Sequence, residues 1–110
     1  MVNIETARQM ALKLPGTIEK DHFGMPSFRA NNKIFSTLWV QQHRMMVKLS
    51  PIDQSVFSTF DPTVFYPVPN KWGLNGATFV ELENVRPEML EDALNLAYEG
   101  VIGKKKGLQY

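Results

Sequence analysis

The sequence predicts an α+β domain in which helices pack on one face of a mostly antiparallel sheet. Helical periodicity occurs near both ends of the chain, and alternating apolar and polar residues occur between them, at 33–41, 45–49 and 77–83. Short connections join the first alternating runs, as in antiparallel hairpins. Helices and strands in this order favour a layer of helices on one sheet face. The 110 residues fit a single domain spanning 1–110.

The first helix is predicted from Asn3, which can cap it, to Pro15-Gly16, which ends it. Its apolar residues recur at i, i+3, i+4 and i+7, namely Ala7, Met10, Ala11 and Leu14. A weakly patterned piece at 17–23 and a turn at 24–26 lead into 27–30. Asn31-Asn32 then fits a two-residue hairpin turn, because asparagine tolerates positive φ.

The strand at 33–41 is predicted to have two partly apolar faces. Ile34, Leu38 and Val40 share one face, and Phe35, Thr37 and Trp39 share the other. A looser turn at 42–44 precedes the strand at 45–49, where Met45, Val47 and Leu49 alternate with Met46 and Lys48. These strands form an antiparallel meander.

A short second helix is predicted to begin at Ser50-Pro51, an N-cap followed by an N1 proline. Its apolar residues Ile52, Val56, Phe57 and Phe60 are expected to face the core. Prolines at 62, 67 and 69 exclude a regular central strand, so 61–71 is expected to form a loop or an edge segment.

The segment from Trp72 onward joins a glycine-containing turn, a strand and the last helix. Gly73 and Gly76 supply positive-φ positions, after which Thr78, Val80 and Leu82 share one face of a strand. Pro87 starts the last helix, whose apolar stripe is wide enough to lie across a sheet: Leu90, Ala93, Leu94, Ala97, Tyr98 and Val101.

Composition limits the classes of function. The chain is 44% hydrophobic and 21% charged with a formal charge of +1, so any polyanion site is expected to be a local patch. The absence of cysteine excludes disulfides, thiolate nucleophiles and cysteine metal sites. No signal peptide and no run of about 18 apolar residues occur, so we expect a cytoplasmic protein with no membrane partner.

Four segments, in their order and spacing, resemble the MmcQ/YjbR family. They are Leu14-Pro15-Gly16 ahead of Glu19, Phe23-Gly24-Met25-Pro26-Ser27-Phe28-Arg29, Lys33-Ile34-Phe35-Ser36 and Trp72-Gly73-Leu74-Asn75-Gly76. The resemblance spans nearly the whole chain and implies an α+β fold similar to the frataxin-like CyaY arrangement. It also implies a double-wing surface, from which DNA binding has been inferred for this family of unknown function. Frataxin-like proteins hold iron on an acidic first helix, whereas this first helix offers only Glu5.

The residues give little support to catalysis. The chain has two histidines, His22 and His43, and no glycine-rich phosphate loop. Asp21 and His22 are neighbours that point to opposite faces of a strand, so they form no orienting pair. No spacing suggests three or four converging metal ligands. We therefore expect a protein that is not an enzyme, with no metal and no cofactor.

Two surfaces are candidates for nucleic-acid binding. On the mixed face of the meander, Phe35, Trp39 and Phe79 with Lys48 could stack unpaired bases and meet phosphate. The alternative is that the proline-rich segment or a second copy of the chain covers this face.

The second candidate is formed by the turn tips. Arg29 and Lys33 lie near one tip and His43 and Arg44 at the other, roughly 30 Å apart for a nine-residue strand, so they could touch a duplex at separate points. The alternative is a pair of solvated hairpin ends.

The turn at 71–76 and the basic end of the chain complete the candidate residues. Lys71, Trp72 and Asn75 could form a small binding surface, unless Trp72 fills the edge of the core. Lys104, Lys105 and Lys106 could add phosphate contacts or simply form a solvated end.

Our leading hypothesis is a non-catalytic domain that binds DNA weakly, mainly through phosphates. The candidate residues are Arg29, Lys33, Arg44, Lys48, Lys71, Trp72 and Asn75. About five neutralised phosphates would give a slope of log K against log salt near −4 to −5 on a duplex. One alternative is a protein-interaction or homodimerisation module that uses Phe35, Trp39 and Phe79. The other is an enzyme or small-molecule carrier with its pocket around His22, Trp72 and Asn75.

Overall fold

Six antiparallel strands and four helices make up the fold in the computed structural model, which describes residues 1–103. The elements are α1 (Ile4–Leu12), β1 (Ile18–His22), β2 (Met25–Ala30), β3 (Lys33–Trp39), β4 (Arg44–Lys48), α2 (Pro51–Phe60), β5 (Phe65–Pro67), α3 (Lys71–Leu74), β6 (Ala77–Glu81) and α4 (Pro87–Ile102). The strand order is β1-β2-β3-β4-β6-β5. The predicted α+β fold with a mostly antiparallel sheet is confirmed, and Lys104–Lys106 lie outside the described residues.

The core lies between α4 and one face of the sheet. α4 crosses β2, β3 and β4, and its buried residues are Leu90, Ala93, Leu94, Ala97 and Val101. These are the residues of the predicted apolar stripe, which Tyr98 borders. The opposing sheet residues Phe28, Leu38, Met45, Val47 and Val80 are buried as well. Burial of each large side chain contributes roughly 1.5–3 kcal/mol, so this interface is a large source of hydrophobic stabilisation.

β1 is a strand that the sequence analysis left without an assignment. Ile18–His22 pairs with β2 at the edge of the sheet, with His22 opposite Met25. Its side chains are exposed or half-buried, and within residues 1–103 no strand lies on its outer side. An edge strand of this kind carries no alternation of apolar and polar residues, which explains the weak pattern at 17–23.

A β-bulge in β3 changes which face its side chains occupy. Phe28 lies opposite Ser36 and Arg29 opposite Ile34, so Phe35 is the extra residue. Phe35 is fully buried on the α4 side, with its ring centroid 5.6 Å from that of Tyr98. The prediction that Phe35 shares a face with Thr37 and Trp39 is therefore wrong.

α2 packs over β5 at the edge of the sheet and adds a single side chain to the core. Only Phe57 is buried, with its ring centroid 4.9 Å from that of Phe65 in β5. Ile52, Val56 and Phe60, which we expected in the core, are 76%, 61% and 63% exposed. The inner side of the helix is instead held by Gln54, whose Nε2 donates to the carbonyls of Gly73 and Ala77.

The proline-rich segment forms an edge strand, which is one of the two forms predicted for residues 61–71. Phe65–Pro67 pairs with β6, and no further strand lies outside it in residues 1–103. Among the helices of that range, none is long and apolar enough to cross a membrane.

The bulge predicts losses of stability of very different size for two neighbouring substitutions. Phe35→Ala should lower the free energy of unfolding by about 3–5 kcal/mol, because it empties a fully buried site. Ile34→Ala removes a half-buried side chain from the other face and should cost about 1 kcal/mol. Urea denaturation of the two variants measures both values, and equal losses would contradict the bulge.

Candidate functional site

The face of the sheet opposite α4, which we call the open face, carries a row of side chains across all six strands. Register partners lie on the same face of a sheet. The row runs through Lys20, Ser27, Thr37, Met46, Phe79 and Tyr66. Ile34 joins this face because of the bulge, and Trp39, Arg44 and Lys48 lie on it as neighbours two residues along their strands.

Two adjoining cavities of about 350 and 390 Å³ lie on the open face and form what we call the groove. His22, Thr37, Met46, Trp72 and Ala77 line both cavities. Thr37 and Met46 belong to the central strands β3 and β4. The flanking residues come from the β1–β2 hairpin on one side and from the segment 68–75 on the other. Volumes of this size are typical of small-molecule or cofactor sites.

The first cavity is mainly aromatic and apolar, whereas the second also carries a cation. Phe23, Met25, Trp39, Val68 and Asn70 complete the lining of the first cavity. Ile34, Lys48 and Asn75 complete the lining of the second. The lining of both cavities contains no carboxylate among the described residues.

Trp72 projects from α3, a single helical turn. Asn70 adopts φ 73°, and its side chain accepts a hydrogen bond from the backbone N–H of Trp72 at 3.1 Å. Gly73 is buried against the Val68 backbone and the Pro67 side chain, and the indole before it points outward and is 70% exposed. The alternative in which Trp72 fills the edge of the core is therefore wrong.

Arg44 is held in a packed cluster at one end of the open face. Its guanidinium carbon lies 3.8 Å from the centroid of the Phe79 ring and 5.1 Å from that of Trp39. Its Nη1 donates to the hydroxyl oxygen of Tyr66 at 3.2 Å, and that hydroxyl donates to Glu81. The stacked guanidinium gains cation–π attraction from both rings. Arg44 therefore covers Phe79 and is not directed at solvent.

Three of the seven predicted site residues, Lys48, Trp72 and Asn75, line the second cavity. His22 lines the same cavity, so the three residues of the alternative small-molecule site also lie together. Arg29 lies on the open face opposite Ile34, and its Nε donates to the hydroxyl of Ser27 at 3.1 Å.

The other predicted residues lie away from the groove. Lys33 is exposed at the β2–β3 turn, Lys71 is exposed at the start of α3, and Arg44 belongs to the packed cluster. The expected aromatic surface is also reduced, since Phe35 faces α4 and Phe79 is buried beneath Arg44. The proline-rich segment does not cover the groove and instead supplies Val68 and Asn70 to its side.

Sequence reasoning missed Phe23 as a site residue. It lies in the β1–β2 turn, is 92% exposed and lines the first cavity together with Trp72. Hydrophobic periodicity carries no information about a turn residue. The available signal was a phenylalanine directly before Gly24, since a large aromatic residue is unusual in a turn.

The cluster around Arg44 predicts a pH effect on stability. The pKa of Tyr66 is raised, first by burial of its hydroxyl and then by its hydrogen bond to Glu81. A raised folded-state pKa stabilises the fold below the unfolded-state pKa of about 10, and this stabilisation is lost as pH rises through the folded value. The melting temperature of the wild type should therefore fall more steeply above about pH 10 than that of Tyr66→Phe. Thermal melts followed by circular dichroism across this pH range measure the difference. If the melting temperatures of the two proteins fell equally with pH, the link between Tyr66 ionisation and stability would be contradicted.

Comparison with known proteins shows to which family the chain belongs. Among solved structures, the chain is similar to the crystal structure of the Deinococcus radiodurans protein DR2400, which carries the family-model domain DUF419. That match has a TM-score of 0.78 and 19% sequence identity and covers 92% of this chain and 79% of the other. No curated protein matches the chain. In residues 1–103, no group of three histidine, aspartate or glutamate side chains could hold a metal ion. The YjbR family model matches residues 12–100, and the chain therefore belongs to the YjbR family.

Proposed function

We propose that the protein binds nucleic acid through the groove on the open face, without catalysing a reaction. The observation that carries the proposal is the exposed indole of Trp72 beside a groove that also presents Lys48. Aromatic side chains next to a cation are the recurring elements of surfaces that bind single strands, where bases stack and phosphates meet positive charge. DNA is the partner we favour, on the basis of the family resemblance.

The charges on the open face support a polyanion. Lys48 lines the groove, Arg29 lies beside Ile34 at its border, and Lys20 occupies the same face two strands away from Thr37. Carboxylates that would repel phosphate are absent from the described lining, and Glu81 is bonded to Tyr66 at the far end. A local positive patch of this kind can attract phosphate although the whole chain carries only +1.

The hairpin tips give less support to a mode that bridges points on a duplex. Nδ1 of His43 lies 3.2 Å from the Glu83 carboxylate, which adds negative charge at that tip. At the other tip, the side-chain amide of Asn31 donates to the carbonyl of Val101. These groups have structural partners, whereas Lys48 and Trp72 face the groove.

The proposal predicts a change in salt dependence. Replacing Lys48 and Arg29 together with alanine should weaken binding of a labelled single strand. It should also reduce the slope of log K against log salt by about 1.4, since each phosphate on a single strand contributes about 0.7. Fluorescence anisotropy across a salt series measures both quantities. Lys33→Ala is the matched control, because that lysine lies at a turn tip outside the groove.

Two results would contradict the proposal. Binding that does not weaken with salt would exclude a phosphate-dominated contact. A larger effect of Lys33→Ala than of the double variant would place the contact at the hairpin tip and not in the groove.

A second candidate function, a protein-interaction or self-association module, is favoured by α2. Ile52, Val56 and Phe60 recur every four residues and form an exposed apolar stripe on its outer side. Such exposed stripes commonly mark contacts with other proteins. This surface lies on a different element from the groove, so the two functions can be tested separately.

Self-association through this stripe should depend on concentration and should be disrupted by charge. Val56→Lys places an ammonium group in the middle of the stripe, where burial in an interface would be costly. Analytical ultracentrifugation at micromolar concentration should show association of the wild type and monomers of the variant. A wild type that stays monomeric at every concentration would contradict this candidate.

A further inference from the structure

Phe23 occupies a turn position that its side chain does not suit. Phe23 and Gly24 have φ of 53° and 86° and connect β1 to β2, with His22 opposite Met25. Two consecutive positive φ values correspond to a primed hairpin turn, which favours asparagine, aspartate and glycine. A large aromatic residue at positive φ is unusual and costs free energy.

The same chain contains a turn with the favoured residues. Asn31 and Asn32 connect β2 to β3 with φ of 54° and 62°. An asparagine at position 23 would therefore serve the hairpin better than phenylalanine does. Phe23 is 92% exposed, so burial in this chain does not offset its unfavourable backbone conformation. An unfavourable residue that is kept exposed beside a cavity points to a contact with something outside the chain.

The surroundings of Phe23 indicate what that contact is. Its ring meets that of His22 edge to face, with centroids 4.7 Å apart, which limits the directions it can take. Phe23 and Trp72 come from separate parts of the chain and line the same cavity. That cavity has no lysine, arginine or carboxylate among its described lining residues, whereas the adjoining cavity has Lys48.

We infer that Phe23 and Trp72 together hold one unpaired nucleobase, while Lys48 contacts the neighbouring phosphate. The inference rests on the proposed nucleic-acid function and adds the form of the ligand, a single strand. A planar, uncharged ring suits the aromatic cavity, and an anionic backbone suits the cavity beside it. A base within a duplex is stacked on its neighbours and cannot offer its faces to two side chains. The site therefore selects single strands over duplexes.

Phe23→Asn separates the ligand contact from the fold. The substitution removes the ring but supplies a residue that the turn prefers, so thermal stability should be retained or increased. Affinity for a labelled single-stranded oligonucleotide should fall about 5- to 150-fold, since base stacking on one aromatic side chain contributes roughly 1–3 kcal/mol. Trp72→Leu should cause a loss of similar size, and Phe23→Tyr should retain binding because it keeps the ring.

The experiment is fluorescence anisotropy of one labelled sequence as a single strand and as a duplex, with the wild type and these three variants. We expect the wild type to prefer the single strand and Phe23→Asn to lose that preference. If the strand binds with a steep salt dependence but Phe23→Asn binds equally well, the stacking site is overturned and the proposed function stands. Absence of any binding at low salt would overturn both.

A protein ligand would give a different pattern. If Phe23→Asn abolishes concentration-dependent self-association in ultracentrifugation and leaves oligonucleotide binding unchanged, the groove is an interface between copies of the chain. That result would also overturn the base-stacking site.

Discussion

Packing of α4 against one face of the sheet is the interaction on which the rest of the structure depends. Its small residues Ala93 and Ala97 let the helix lie close to β3 and β4, and Leu90, Leu94 and Val101 fill the space around them. Because the main core is built on this side, the opposite face is free of a covering helix in the described part of the chain. The groove is present because helix α4 covers only one face of the sheet.

Arg44 shows how the open face is stabilised without a second helix. The exposed side of Phe79 would be costly in water, and the guanidinium of Arg44 covers it while Trp39 and Tyr66 pack around it. Glu81 and Tyr66 complete a polar network at that end of the sheet. A residue that the sequence suggested as a phosphate contact is therefore used to close one end of the open face, and the cavity remains at the other.

The sequence predicted the fold correctly where hydrophobic periodicity is regular. The prediction failed where a single residue determines which face of the sheet a side chain occupies. The stripe of α4 and the alternation of β4 specify buried faces directly. The bulge at Phe35 cannot be read in this way, because one extra residue moves a side chain to the other face without changing composition. The prediction of the buried face of α2 failed for another reason, because this helix at the sheet edge buries only Phe57 and leaves its other apolar residues exposed.

The candidate site was only partly predictable from the sequence. The sequence shows the types of the residues that line it, but it does not show that they lie close together in the fold. Lys48 and Asn75 line one cavity because β6 lies between β4 and β5, an order that local patterns do not encode.

The glycines around Trp72 then fix the geometry. A Cβ at Gly73 would lie 1.8 Å from the Val68 carbonyl oxygen, and one at Gly76 would lie 1.9 Å from that of Leu49. Only glycine permits these backbone approaches. Of the two, Gly76 alone has a positive φ, 111°, so the prediction of a positive φ at Gly73 is wrong. The glycines of this motif therefore hold the segment against its neighbours. The side chain of Trp72, beside Gly73, and that of Asn75, between the two glycines, are left at the groove.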